Sequence, residues 1–362
     1  MARINTQLAG LEFRNPLLPS NGPIVRDGDS IINIANNGAG GLISETVSTE
    51  PCETPRPNLA KLEEGMLMAD SWSQIPPEEW LEEEYPKALE MDLPLIASIG
   101  RTPSDVEELA KDVADVGVDA LQLVIDYPMD DPSPLLESVK TAKKDTDIPI
   151  FVQVDCKTLD LENCAEELEK AGADGIVAIK PIGPAISINV NIERPVLGSA
   201  KGYGWLAGPA VKPLAIRAVA DIAQTVDIPV IGAGGIKDER DVVEYIMAGA
   251  SAVTIGSAAI VRGSKIFGII ADNLQRFMNS RGYENIEDLR GVALRNISDE
   301  PIRTTSKQPD IITPKCTGCG LCVKHCPYDA IKIVGGKARI NSASCVGCGL
   351  CVSVCPPNAL RF

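Results

Sequence analysis

A chain of 362 residues carries a single histidine, His325, and its aromatic side chains make up only 4% of the total. With the one histidine near the C-terminus, a histidine base in the main body is excluded. No apolar run reaches the roughly 20 residues needed to span a bilayer. The opening MARINTQLAG lacks the apolar stretch of a signal peptide, so a cytoplasmic protein is expected. No G-x-G-x-x-G opens a helix after a strand, which leaves a dinucleotide-binding fold without support. Positive charge is also short: 34 Lys and Arg stand against 50 Asp and Glu, and the formal charge of −16 disfavours nucleic acid or an anionic membrane as partner.

Cysteine is abundant, and its placement is uneven. Cys316, Cys319, Cys322 and Cys326 lie in CTGCGLCVKHCP, and Cys345, Cys348, Cys351 and Cys355 in CVGCGLCVSVCP. Both runs are C-x2-C-x2-C-x3-C-P, the bacterial ferredoxin spacing for a four-iron cluster. Zinc sites favour isolated pairs over triplets, and nothing marks the chain as secreted and disulfide-bonded. Three close thiolates hold three irons of a cube, and the fourth cysteine of each run serves the other cube. Two [4Fe-4S] clusters are therefore expected, one on Cys316, Cys319, Cys322 and Cys355, the other on Cys345, Cys348, Cys351 and Cys326. His325, between ligand positions, reads as a polar neighbour of a cluster and not as a ligand. From Thr313 onward the net charge is +5, leaving −21 on the body, and a basic tail offsets the negative charge of loaded clusters. The spare thiols Cys52, Cys156 and Cys164 fit a reducing compartment.

The body alternates short apolar segments with amphipathic ones. GGLISE, LPLIASIG, DALQLVI, IPIFVQV, DGIVAIK, IPVIGAGG and SAVTIGSA lack polar alternation, as strands of a buried parallel sheet should. PSDVEELAKDVADVG and DLENCAEELEKAG carry apolar residues at helical spacing. One phrase recurs as VGVDALQLVI at 116–125, AGADGIVAIK at 171–180 and AGASAVTIGS at 248–257: a helix ending in Gly, a turn, then a strand. This pattern predicts a (β/α)8 barrel over residues 1–290, a linker at 291–312 rich in Pro, Thr, Ser and Asp, and a small ferredoxin-like two-cluster domain over 313–362.

In such a barrel, function gathers at the C-terminal ends of the strands, and phosphate binds after strands seven and eight. Both ends are glycine-rich here, with Gly232-Ala233-Gly234-Gly235 on one and Gly256-Ser257 on the other. Glycines let backbone N–H groups approach phosphate oxygens.

Five segments together resemble the dihydroorotate dehydrogenase superfamily, most of all the FMN barrel joined to ferredoxin clusters in dihydropyrimidine dehydrogenases. They are FRNPLLPSNGP, LISETVSTEP, RPVLGSAKGYGWLAGPAVKPLA at 194–215, IPVIGAGGI and AGASAVTIGSA. The resemblance implies an FMN site with Ser20, Asn21 and Thr46 near the flavin ring. It puts Ala207 and Gly208 beside the ribityl phosphate, and Gly234, Gly235, Gly256 and Ser257 on the phosphate itself.

The departures from the family fall on the chemistry. Where members carry lysines near the flavin, this chain has Glu45 and Gln153. Losing both cations either lowers the flavin's potential or leaves the task to Lys157, Lys180 or Lys212, with Lys180, at the end of the next strand, the preferred substitute. The family's acid–base Cys loop is replaced by LQLVIDYPMDDP, where Tyr127 takes the Cys position and Val124 and Met129 take those of two substrate-binding asparagines. Tyr127, Asp126 and Cys156 are the candidate acids, set against a packing role for Tyr127. Trp72 and Trp80 fall in a stretch resembling the substrate-side loop, and Trp205 lies in the glycine-rich GYGWLAG.

The leading expectation is an FMN- and iron–sulfur-dependent oxidoreductase acting on a CH–CH or C=C bond of a small organic substrate. Electrons would come from or go to a partner protein, either an FAD- or NAD(P)H-binding subunit or a soluble ferredoxin. The alternative is an electron-transfer subunit of a larger complex with no substrate of its own. A third reading is a repurposed barrel without flavin. A homodimer accords with related barrels.

Overall fold

The computed structural model describes residues 1–69, 72–297 and 307–362, and the chain divides into a larger unit, Met1–Ile297, and a smaller one, Ser298–Phe362. Eight strands form one parallel sheet in the larger unit: β1 Leu17–Pro19, β2 Leu42–Ile43, β3 Leu95–Ile99, β4 Ala120–Leu123, β5 Ile150–Val154, β6 Gly175–Ala178, β7 Val230–Ala233 and β8 Ala252–Ile255. Hydrogen bonding runs in the order β1, β8, β7, β6, β5, β4, β3, β2. The Gly40 N–H donates to Leu17 O at 2.7 Å, drawing the two end strands together into a near-closed (β/α)8 barrel.

Strand periodicity decides what faces inward. Leu18, Ile43, Ile96, Ala120, Phe151, Val177, Ile231 and Ala252 form one inner cluster, together with Leu8 and Phe13 from a hairpin, Thr6–Leu8 and Leu11–Phe13. Two residues further along six of the eight strands the same face becomes polar, with Ser20, Glu45, Ser98, Gln122, Gln153 and Thr254, while Ile179 and Ala233 stand there on β6 and β7. The barrel is thus apolar at the N-terminal end and polar at the C-terminal end. Around the barrel, the buried face of the helix Pro103–Asp115, with Val106, Leu109 and Val113, packs with the strands in the larger core.

Helix ends are set by side chains. Thr102 caps Pro103–Asp115 in a capping box with Asp105, and Asp27 forms another with Ser30 at Gly28–Asn36. Glycine in the left-handed region ends two helices, Gly172 after Leu161–Ala171 and Gly282 after Ile266–Arg281. Among the described residues no helix is long and apolar enough to cross a membrane.

The stretch 291–312, expected to be a linker, is anchored at both ends. Gly291 and Ala293 donate to Ile246 O and Met247 O, so the larger unit runs on to Ile297. Asp310–Ile311 pairs with Leu360–Arg361 in the smaller unit. Residues 298–306 lie outside the described residues. The smaller unit is ferredoxin-like, with two four-residue helices, Leu321–Lys324 and Leu350–Ser353, and a second hairpin, Ile331–Val334 with Lys337–Ile340.

Candidate functional site

A cavity of about 400 Å³ opens at the C-terminal ends of the barrel strands. Its glycine-rich side holds Gly208, Gly234, Gly235, Gly256 and Ser257. Backbone must come close here. A Cβ on Gly256 would stand 2.3 Å from Ser20 Oγ, and one on Gly235, whose φ is +76°, would stand 2.7 Å from Lys212 Cβ. Side chains are thus kept out of the place where the sequence puts a phosphate, and the cradle fits that group.

Ser20, Asn21, Glu45, Thr46, Gln153, Lys180 and Ala207 line the same cavity, as does Tyr127. Asn21 Nδ2 donates to Thr46 Oγ1 at 3.0 Å and reaches Gln153 Oε1 at 3.4 Å, which fixes three polar groups from β1, β2 and β5 relative to one another. Thr46 also shares a hydrogen bond with Ser98 Oγ at 2.9 Å. Polar side chains buried beside an apolar barrel interior require such partners. Glu45 is only 5% exposed.

The three lysines considered as substitutes separate clearly. Lys212 Nζ pairs with Asp241 and Glu244, at 2.7 and 2.6 Å, and does not line the cavity. Lys157 Nζ donates to Gly183 O. Lys180 follows β6, and its Nζ donates to Ile125 O and lies 5.4 Å from the centre of the Tyr127 ring. Burial pushes its pKa below the ordinary lysine value, against an opposing pull from Asp126 and Asp155. Of the three it alone lines the cavity.

Tyr127 and Cys156, the other two catalytic candidates, are held differently. Tyr127 accepts from the Asp155 N–H at 2.8 Å and shares a 2.8 Å hydrogen bond with Thr158 Oγ1. Because Thr158 gives its own proton to Asp155 O, the phenol must be the donor in that pair. Its hydrogen bonds are spent on structure, and burial raises its pKa to about 12. Tyr127 therefore lines the cavity with its hydroxyl bonded to the loop after β5. Cys156 is absent from the cavity lining and packs at the edge of the main core, and burial followed by Asp155 pushes its thiol pKa up.

Some lining residues escaped the sequence reading. Arg101 lies two residues beyond β3, and its guanidinium is 3.7 Å from the centre of the Trp72 ring and 3.4 Å from Asp126. Asp155 directly follows β5. The rule that pointed to Lys180, the first residues beyond a barrel strand, applies equally to both. Trp205, which the sequence did single out, is 44% exposed and borders the cavity.

In the smaller unit the cysteines sort into two small cavities. One is lined by Cys316, Cys319, Cys322 and Cys355, the other by Cys326, Cys345, Cys348 and Cys351. The fourth cysteine of each run thus crosses to the other group. Backbone N–H groups point at the sulfurs: Ala338 to Cys316 Sγ at 3.4 Å, Ala330 to Cys326 Sγ at 3.4 Å and Ala359 to Cys355 Sγ at 3.3 Å. Among the described residues no group of His, Cys, Asp and Glu is set to hold a lone metal ion, and the ligands of a cube stand farther apart than those of one ion. Four thiols around each apolar cavity, with N–H groups on the sulfurs, fit an iron–sulfur cube.

Comparison with known proteins agrees with both halves. Residues 3–278 match the family model described as dihydroorotate dehydrogenase, and residues 315–359 match that of a 4Fe-4S dicluster domain. The chain is 34% identical over 303 residues to the dihydroorotate dehydrogenase B (NAD(+)) catalytic subunit of Pyrococcus abyssi, spanning 81% of this chain and 99% of that one. The protein of the same description from Thermococcus kodakarensis is 34% identical over 306 residues, 81% and 99% of the two chains. That of Methanothermobacter thermautotrophicus is 31% identical over 302 residues, 80% and 98%.

Proposed function

This chain belongs to the dihydroorotate dehydrogenase family and is a flavin-dependent oxidoreductase of the CH–CH class, and from that premise we propose that it couples an FMN in the barrel to two [4Fe-4S] clusters in its C-terminal unit. The observation that carries the reading is the single cavity lined by Ser20, Asn21, Thr46, Gln153, Lys180 and the five phosphate-side residues. FMN supplies two-electron hydride exchange with the substrate, and the clusters supply single-electron carriage.

The chain's own residues do the rest. Gly208, Gly234, Gly235, Gly256 and Ser257 hold the phosphate end, and Asn21, Thr46 and Gln153, already bonded to one another, present a preorganised polar wall to the ring. Lys180 Nζ is the group that holds and moves a proton. It is the lysine that lines the cavity, and burial lowers its pKa from the ordinary lysine value, which eases release of the proton. Tyr127 positions Lys180 through its ring and anchors the Asp155 backbone through its hydroxyl. The cavity has an exposed rim of Trp205, Arg101 and Asp126. That opening favours an enzyme with a small organic substrate over a relay subunit with a closed mouth.

Relatives described as catalytic subunits support a partner that carries electrons onward. The test is anaerobic reduction of the purified chain. Reduced ferredoxin is expected to bleach the flavin absorbance, whereas NADH without a partner should leave it unchanged. Bleaching by NADH alone would contradict the need for a partner.

A further inference from the structure

The smaller unit repeats itself at a step of 29 positions, from Cys316 to Cys345 and from Gly318 to Gly347. Strand pairing obeys the same step, since Ile331 pairs with Ile340 while Leu360 pairs with Ile311. So does the backbone that closes each cavity. A Cβ on Gly318 would meet Gly336 O at 2.3 Å, and one on Gly347 would meet Lys307 O at 2.6 Å. Gly336, Lys337 and Ala338 therefore stand to Cys316 as Lys307, Gln308 and Pro309 stand to Cys345. Ala338 lines the first cavity and Pro309 the second, as the correspondence requires.

At this point the two halves differ. Ala338 donates its N–H to Cys316 Sγ at 3.4 Å, whereas Pro309 has no N–H to give. Lys337 folds its ammonium onto the Cys316 carbonyl, whereas its counterpart Gln308 is neutral. The fourth cysteines of the two runs are matched, because Ala359 serves Cys355 in the first group and Ala330 serves Cys326 in the second. An N–H aimed at a thiolate, or a cation nearby, stabilises the more negative reduced cluster and raises its potential.

We propose that the two clusters differ in potential because of this one substituted edge. The cluster on Cys316, Cys319, Cys322 and Cys355 is the higher, and Pro309 keeps the cluster on Cys326, Cys345, Cys348 and Cys351 lower. One electron placed on the second cluster moves to the oxidised first cluster, with no bond made or broken and no proton taken up. The inference rests on the reading that both cavities hold a [4Fe-4S] cluster.

The test is redox potentiometry of the full-length holoprotein followed by electron paramagnetic resonance, with iron and sulfide counted in the same samples. Two separate one-electron steps are expected. Pro309→Ala restores the missing donor and should raise the lower step alone, by about tenfold in its reduction equilibrium, or about 59 mV for one electron. Lys337→Gln should lower the upper step alone. With about eight irons present, coincident potentials would overturn the inference, as would a Pro309→Ala variant in which the lower step stays put. An iron count near four would instead overturn the two-cluster reading beneath it.

Discussion

Lys180, the residue proposed to hold and move a proton, places a charge in the cavity at a cost in stability. Its buried ammonium has a pKa below the ordinary lysine value, so between the two values the unfolded chain binds the proton and the native chain does not. Stability should therefore rise with pH across that alkaline window and be lowest below the folded value. Lys180→Met removes the buried charge and should raise thermal stability at neutral pH, by on the order of 1 kcal/mol, while turnover collapses. Melting curves with parallel assays check both halves. For Tyr127→Phe the expectation is the reverse: a loss of about 1–2 kcal/mol from the orphaned Asp155 N–H, with turnover changed only a few-fold. A turnover loss of several orders of magnitude at unchanged stability would restore Tyr127 as an acid. The sequence made Glu45, Gln153 and Lys180 legible because they sit at strand ends next to recognisable phrases. It preferred Lys180 to Lys157 and Lys212 for its place at a strand end, but it could not show that Lys212 is occupied, since the acids that pair with it, Asp241 and Glu244, come from another helix.

Among the elements, the helix Pro103–Asp115 shows what fixes the barrel's loops. Asp105 is buried, which by itself would raise its pKa, but hydrogen bonds from Thr102, Ser48 and Thr49 hold it down at about 2. Its depressed value means that its stabilisation is complete above the ordinary carboxylate range and is lost as pH falls toward 2. Asp105→Ala should cost about 2 kcal/mol in urea unfolding at pH 7. The difference from wild type should shrink as the pH is lowered through 3. Seven of the eight barrel strands were legible as apolar runs closed by Gly, Pro or Asp turns. The missed strand, Leu17–Pro19, spans three residues and follows Pro16, too short for any periodicity to register. It is recognised only by what it pairs with, β8, a contact between the two ends of the barrel.

At the scale of the whole molecule, the division into a barrel and a cysteine module follows from composition alone, because aliphatic βα phrases stop where the C-x2-C-x2-C-x3-C runs begin. The crossing of Cys326 and Cys355 was equally legible, since the spacing carries it. The edge between 291 and 312 was not: a stretch rich in Pro, Ser and Asp reads as linker even where its backbone is fastened to Ile246 and Met247. The central claim is one redox chain of flavin and clusters in a single polypeptide. Anaerobic purification followed by flavin extraction and iron and sulfide counting tests it most directly. About one FMN and eight irons per chain is the predicted result. Eight irons with no flavin would contradict it and make Glu45 and Gln153 the marks of a barrel turned to another ligand.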